Sequence, residues 1–204
     1  MLKVGLTGSI AVGKSYVCTF LRELGFFTLD ADQTAREVVE PNTRGWQLIV
    51  DNFGQEALQS DNTLDRVKLS AIIFSDQSKR QLMNSIVHPL VFEAQNKWLA
   101  ERESENPRNI AIIDAALMIE SGGYRRFDKL IVVWCKPEIQ LERLMARSNL
   151  SETEALKRIN SQMPQEEKKR YADYLIDTSQ GFDATKLQVV EIFEQLQLLT
   201  NGKL

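Results

Sequence analysis

Gly8-Ser-Ile-Ala-Val-Gly13-Lys14-Ser15 fits the pattern Gly-x-x-x-x-Gly-Lys-[Ser/Thr], and its surroundings decide the fold. Residues 2–7, Leu-Lys-Val-Gly-Leu-Thr, read as a short buried strand, and residues 15–24 carry Val17, Phe20, Leu21 and Leu24 at helical spacing. Strand, glycine loop and helix are the context in which this pattern wraps backbone N–H groups around a phosphate chain. A glycine turn that merely joins strand to helix has no need of the Lys-Ser pair. The segment from Gly8 through Ala11, Val12 and Gly13 to Lys14, Ser15 and Tyr16 is therefore the candidate nucleotide-binding loop. Lys14 would reach the β- and γ-phosphates, and the Ser15 hydroxyl would ligate Mg²⁺. The helix N-terminus adds about half a unit of positive charge facing the anion.

With 204 residues, the chain can form one substantial α/β core with room for insertions. Hydrophobic residues at 43% and charged residues at 26% are ordinary for a globular protein. A net charge of −3 makes no electrostatic case for nucleic acid or a membrane surface, and neither is expected as a partner. Cys18 and Cys135 lie in apolar segments without disulfide or metal spacing and read as reduced core thiols. The chain opens on a strand pattern and has no apolar run of membrane-spanning length, so a cytoplasmic location is expected.

Five apolar segments, at residues 2–7, 26–30, 109–114, 129–134 and 174–177, read as parallel strands separated by helical patterns. Their spacing is uneven. Between residues 30 and 109 lie amphipathic patterns at 34–39, 44–52, 66–74 and 77–103, more chain than one crossover helix requires. This reads as a helical insert, 34–104, at the carboxyl edge of the sheet, where ligands bind. A second, polar insert, 137–170, reads as a mobile lid, leaving a core of 1–33, 105–136 and 171–204. Residues 181 onward form an amphipathic terminal helix, with Leu187, Val190, Ile192, Phe193, Leu196 and Leu199 on its apolar side.

Asp30-Ala-Asp32 ends the second strand pattern, and alternation puts both carboxylates on one side if the strand continues. A kinase acting on an alcohol needs a carboxylate to accept the hydroxyl proton, but Asp32 also precedes a helical run and could be its N-cap. The residues themselves leave open which Asp does the chemistry. Asp114 closes the run Ile110-Ala-Ile-Ile113, a Walker-B-like pattern that holds Mg²⁺ directly or through water. Arg143, Arg147 and Arg158 lie in the second insert. They are either an exposed charged face or, for Arg147 above all, a fork for the transferring phosphoryl group. Lys168-Lys-Arg170 reads as solvated surface. His88, the single histidine, precedes Pro89 within a helical pattern that proline should kink or restart. It would then satisfy freed backbone groups or touch substrate.

Taken in order, these motifs resemble the dephospho-coenzyme A kinase family. The matches are Gly5-Leu-Thr-Gly-Ser-Ile-Ala-Val-Gly-Lys-Ser, Leu29-Asp-Ala-Asp32, Leu64-Asp-Arg-Val-Lys-Leu with Ile86-Val-His-Pro-Leu90, and Asp114-Ala-Ala-Leu-Met-Ile-Glu120. Arg158-Ile-Asn-Ser-Gln162 through Ala172-Asp-Tyr-Leu-Ile-Asp177 extends the likeness over nearly the whole chain. Departures fall at Ala11 and Val12, where Gly-Ser is usual, at Tyr16, where Thr is common, and at Ala116, where Pro is usual. They are expected to alter affinity and spare the chemistry.

The resemblance implies a nucleoside-monophosphate-kinase-type fold, with ATP and Mg²⁺ as cofactors. It implies transfer of the ATP γ-phosphoryl group to the ribose 3′-hydroxyl of dephospho-coenzyme A. It further implies Asp32 as general base, Asp30 as its neighbour, Arg147 in a lid over ATP, and a first insert that holds the substrate. Other small-molecule kinases of this fold, and a nucleotide switch or ATPase without an acceptor, are the competing readings.

Overall fold

The computed structural model describes residues 1–201. The chain divides into two compact units, one of Met1–Leu29 with Arg102–Leu204 and one of Asp30–Glu101.

In the first unit, β1 (Leu2–Gly8), β2 (Phe27–Asp30), β3 (Ile110–Asp114), β4 (Lys129–Trp134) and β5 (Tyr174–Asp177) form one sheet in the order β2-β3-β1-β4-β5. The five expected strands are all present, within one residue at their starts. β1 is central and parallel to both neighbours, with Leu2 opposite Ile110 and Leu6 opposite Asp114 on one side, and Val4 opposite Lys129 and Gly8 opposite Val133 on the other. A strand covered on both faces buries every side chain, which is why these segments read as unbroken apolar runs. Leu2, Val4, Leu6, Ile112, Ile131, Val133 and Ile176 form the core, each contributing about 1.5–3 kcal/mol of transfer free energy. Helix α1 (Lys14–Glu23) closes one side with Val17, Cys18 and Leu21.

The second unit holds α2 (Ala31–Glu37), α3 (Arg44–Phe53), α4 (Arg66–Ser75) and most of α5 (Gln77–Glu105). Val39, Ile49, Phe53, Ala57, Leu64, Leu69 and Ile86 form its own core. Thr43 caps α3 through the Trp46 N–H, and Asp65 caps α4 through the Lys68 N–H. Helix α5 continues through Pro89 without restarting, contrary to expectation. His88 is exposed beside Phe92, their ring centroids 6.4 Å apart, and bonds no freed backbone group among the described residues.

The segment 137–170 contains α6 (Pro137–Ser148), α7 (Glu152–Asn160) and α8 (Gln165–Lys169). The final helix, α9 (Phe182–Asn201), buries Thr185, Val189, Ile192 and Leu196, a stripe at steps of four, three and four. Leu187, placed on the apolar side by the sequence, is 73% exposed. Among the described residues, no helix is long and apolar enough to cross a membrane.

Lys168 overturns the reading of 168–170 as solvated surface. Its side chain is fully buried; Nζ pairs with Glu120 Oε1 at 2.8 Å and donates to the Ala116 carbonyl at 2.9 Å. The Thr7 hydroxyl donates to that same carbonyl at 3.2 Å, and Glu120 also accepts the Met163 N–H at 3.3 Å. A buried ammonium is tolerated because it has these partners. Replacing it leaves a cavity, an unpaired carboxylate and a weakened carbonyl. Lys168→Ala should therefore lower stability by about 2–4 kcal/mol. For a chain of this size, thermal unfolding should show a Tm fall of roughly 5–15 °C, and an unchanged Tm would contradict the buried tether.

Candidate functional site

β1 delivers the chain into the loop at Gly8 and α1 receives it at Lys14. A Cβ on Gly8 would stand 2.6 Å from the Val133 carbonyl oxygen, so β1 can lie against β4 here only as glycine. Gly13, at φ +88°, is the N-cap of α1 and supplies no side-chain cap. The first-turn N–H groups are thus left without a side-chain cap, the arrangement that accepts an anion. Ala11 takes φ +61°, a left-handed conformation that costs a non-glycine residue roughly 1–2 kcal/mol. Val12 is fully buried, and its carbonyl accepts the Thr178 hydroxyl at 2.8 Å. Ser15 is exposed, so its hydroxyl can reach a metal or water.

Lys14 is held by Asp114. The register that sets Leu6 opposite Asp114, and the Ala115 N–H bond to the Leu6 carbonyl at 3.0 Å, fix the carboxylate beside the loop. Asp114 is only 5% exposed; Oδ1 pairs with the Lys14 ammonium and Oδ2 accepts the Cys18 thiol at 3.0 Å. Burial, and then the adjacent Asp114 carboxylate, push the Cys18 thiol well above its ordinary range. It therefore stays a neutral donor. Cys18 was missed as a member of the site, although it lies four residues after Lys14 and so shares its helix face.

Segment 137–170 meets the loop through Arg143. Its guanidinium donates to the Thr178 hydroxyl at 2.8 Å and to the Thr178 carbonyl at 2.9 Å, so Arg143, Thr178 and Val12 form one chain. Arg147, four residues further on, is exposed and has no hydrogen bond or ion pair among the described residues. Arg158 is also exposed. The Tyr16 ring lies against Phe182, centroids 4.5 Å apart, and its hydroxyl donates to the Phe182 carbonyl at 3.4 Å. Thr178 carried no sequence signal beyond its place just after a strand.

Asp30 and Asp32 do not alternate along a strand. β2 ends at Asp30 and α2 starts at Ala31, so Asp30 is the N-cap, accepting the Asp32 N–H at 2.8 Å and the Gln33 N–H at 3.0 Å. The cap role considered for Asp32 belongs to its neighbour, and Asp32 is an exposed first-turn residue.

Gly8 to Tyr16 thus present a helix N-terminus without a side-chain cap and, beside it, one ammonium paired with Asp114. A family model described as dephospho-CoA kinase matches residues 2–183. Dephospho-CoA kinase of Oceanobacillus iheyensis is 44% identical over 196 residues, covering 95% of this chain and 97% of the relative. Dephospho-CoA kinase of Syntrophus aciditrophicus is 40% identical over 196 residues, covering 96% and 83%. A solved dephospho-CoA kinase from Campylobacter jejuni superposes with a TM-score of 0.73 at 26% identity, covering 99% of this chain and 98% of that one. A family match over most of the length, together with relatives 40% and 44% identical over nearly the whole chain, leads to one conclusion: the chain belongs to the dephospho-CoA kinase family.

Proposed function

We propose that this protein transfers the γ-phosphoryl group of ATP to the ribose 3′-hydroxyl of dephospho-coenzyme A, giving coenzyme A and ADP in the last step of coenzyme A synthesis. The observation that carries this reading is the placement of Lys14. In this chain the phosphate-loop lysine rests on a buried carboxylate at a helix N-terminus without a side-chain cap. Loop N–H groups not already bonded to protein acceptors cradle the phosphates, and Lys14 shifts from Asp114 toward the β/γ-oxygens as the nucleotide enters. Segment 137–170 acts as the lid that brings Arg147 over the transferring group, and segment 34–104 holds the acceptor. The core elements 1–33, 105–136 and 171–204 stay as the frame, and the cytoplasm is the proposed location.

Mg²⁺ fits this donor set in a limited way. The Ser15 hydroxyl and the Asp114 carboxylate would hold the ion, Asp114 directly or through water, with Oδ1 freed once Lys14 moves to the phosphates. Bound there, the ion would neutralise charge on the β- and γ-oxygens. Asp32 takes the proton of the attacking hydroxyl. The motif match supports that role, and so does the occupation of Asp30 as a helix cap.

ADP release should require dephospho-coenzyme A and stop with chelator; equal release without acceptor, or faster turnover with a nucleoside or shikimate-like alcohol, would sink this reading. Asp32→Asn should lower kcat about 10²–10⁴-fold with an unchanged Tm. Asp30→Asn should leave both nearly intact, because asparagine caps as well as aspartate, whereas Asp30→Ala should cost about 1 kcal/mol of stability. Stopped kinetics and melting curves on the three variants separate the roles, and a fast Asp32→Asn enzyme would mean that another group takes the proton.

A further inference from the structure

Four hydrogen bonds meet at Ile10 of the phosphate loop, which offers the carbonyl of one peptide group and the N–H of the preceding one. The Cys135 N–H donates to Gln165 Oε1 at 3.1 Å, and Gln165 Nε2 donates to Gln140 Oε1 at 2.7 Å. Gln140 Nε2 then donates to the Ile10 carbonyl at 2.8 Å, and the Ile10 N–H donates to Gln162 Oε1 at 2.7 Å. The side-chain amides of Gln165 and Gln140 run in one direction from Cys135 to the Ile10 carbonyl, so those three bonds reinforce one another. Gln140 is only 2% exposed, and a buried amide of this kind is costly unless both its ends are satisfied.

A cleft of about 340 Å³ beside the loop is lined by Ser9, Gln140, Gln162 and Gln165 together with Ile159 and Met163. Ser9 Oγ is buried there without a hydrogen-bond partner among the described residues. Polar contacts grip the loop at Ile10, from α6 on the carbonyl side and from the α7–α8 connection on the N–H side.

We infer that Gln162 and Gln140 are positioning residues for the nucleotide, acting through the backbone N–H and carbonyl of Ile10. They hold the loop in its phosphate-receiving shape and couple that shape to the lid. The N–H side is the releasable one, because Gln162 sits on the connection between two lid helices, whereas Gln140 is buried on α6. The loop needs such a grip because Ala11, directly after Ile10, is kept at a positive φ that its side chain disfavours. A preorganised loop binds its ligand without paying to order itself.

This rests on the phosphoryl-transfer reading given above, and the test keeps the two apart by measuring ATP binding calorimetrically alongside turnover with dephospho-coenzyme A. Gln162→Ala and Gln140→Leu should each weaken ATP binding and raise the KM for ATP about five- to tenfold. The KM for dephospho-coenzyme A should stay within twofold. Because both act on one residue, the double variant should bind ATP more tightly than the product of the single losses predicts. Gln162 is partly exposed, so Gln162→Ala keeps the test alive if Gln140→Leu does not fold. A folded Gln162→Ala protein with unchanged ATP affinity would overturn the inference, as would equal changes in both KM values or a Tm loss alone. Tight ATP binding by the unsubstituted protein without turnover would instead count against the proposed acceptor, and the calorimetric comparison would still decide the role of the glutamines.

Discussion

The ion pair between Lys14 and Asp114 is the interaction around which the site is organised. It brings together the first residue of α1 and the last residue of β3, elements a hundred residues apart in the chain. Only the parallel pairing of β1 with β3 makes that possible, because a slip of one residue would turn Asp114 to the opposite face. A buried carboxylate needs partners, and Asp114 has two: the ammonium on one oxygen and the Cys18 thiol on the other. The sheet core thus fixes the charge, and the charge fixes the lysine beside the loop.

A second set of polar tethers surrounds this pair. Arg143 reaches Thr178, which holds the Val12 carbonyl; Gln140 and Gln162 hold the Ile10 carbonyl and N–H; Lys168 ties α8 to the loop after β3. All three originate in segment 137–170, and all end on or beside the phosphate loop or the β3 exit. Hydrogen bonds of this kind are individually worth about 1 kcal/mol, so they can be exchanged during a functional motion more readily than core packing can.

The sheet and the phosphate loop were legible in the sequence for a physical reason. Strands covered on both faces must be apolar throughout, and the loop's glycines and Lys-Ser pair have few other uses. Tertiary partnership was much less legible. Lys168 reads like Lys169 and Arg170 until Glu120 and Ala116 are found beside it, because burial of a charge depends on what another segment brings. Asp30 and Asp32 were confused because a strand that stops at one and a helix that starts after it look, in sequence, like a strand running through both. Leu187 misled the reading of α9 because leucine on a helix end need not face the core. Gln140 and Gln165 gave no signal, since an amide is equally at home on a surface, and Gln162 entered only as the end of a matched motif.

The claim that most needs testing is that Asp114 holds Lys14 through a direct, partly buried pair. A thermodynamic cycle on thermal or denaturant unfolding, using Lys14→Met, Asp114→Asn and the double variant, measures that coupling without any ligand. The pair predicts single losses whose sum exceeds the loss in the double variant by about 1–2 kcal/mol. Losses that add to within about 0.5 kcal/mol would show the two groups to be energetically independent and would contradict the account.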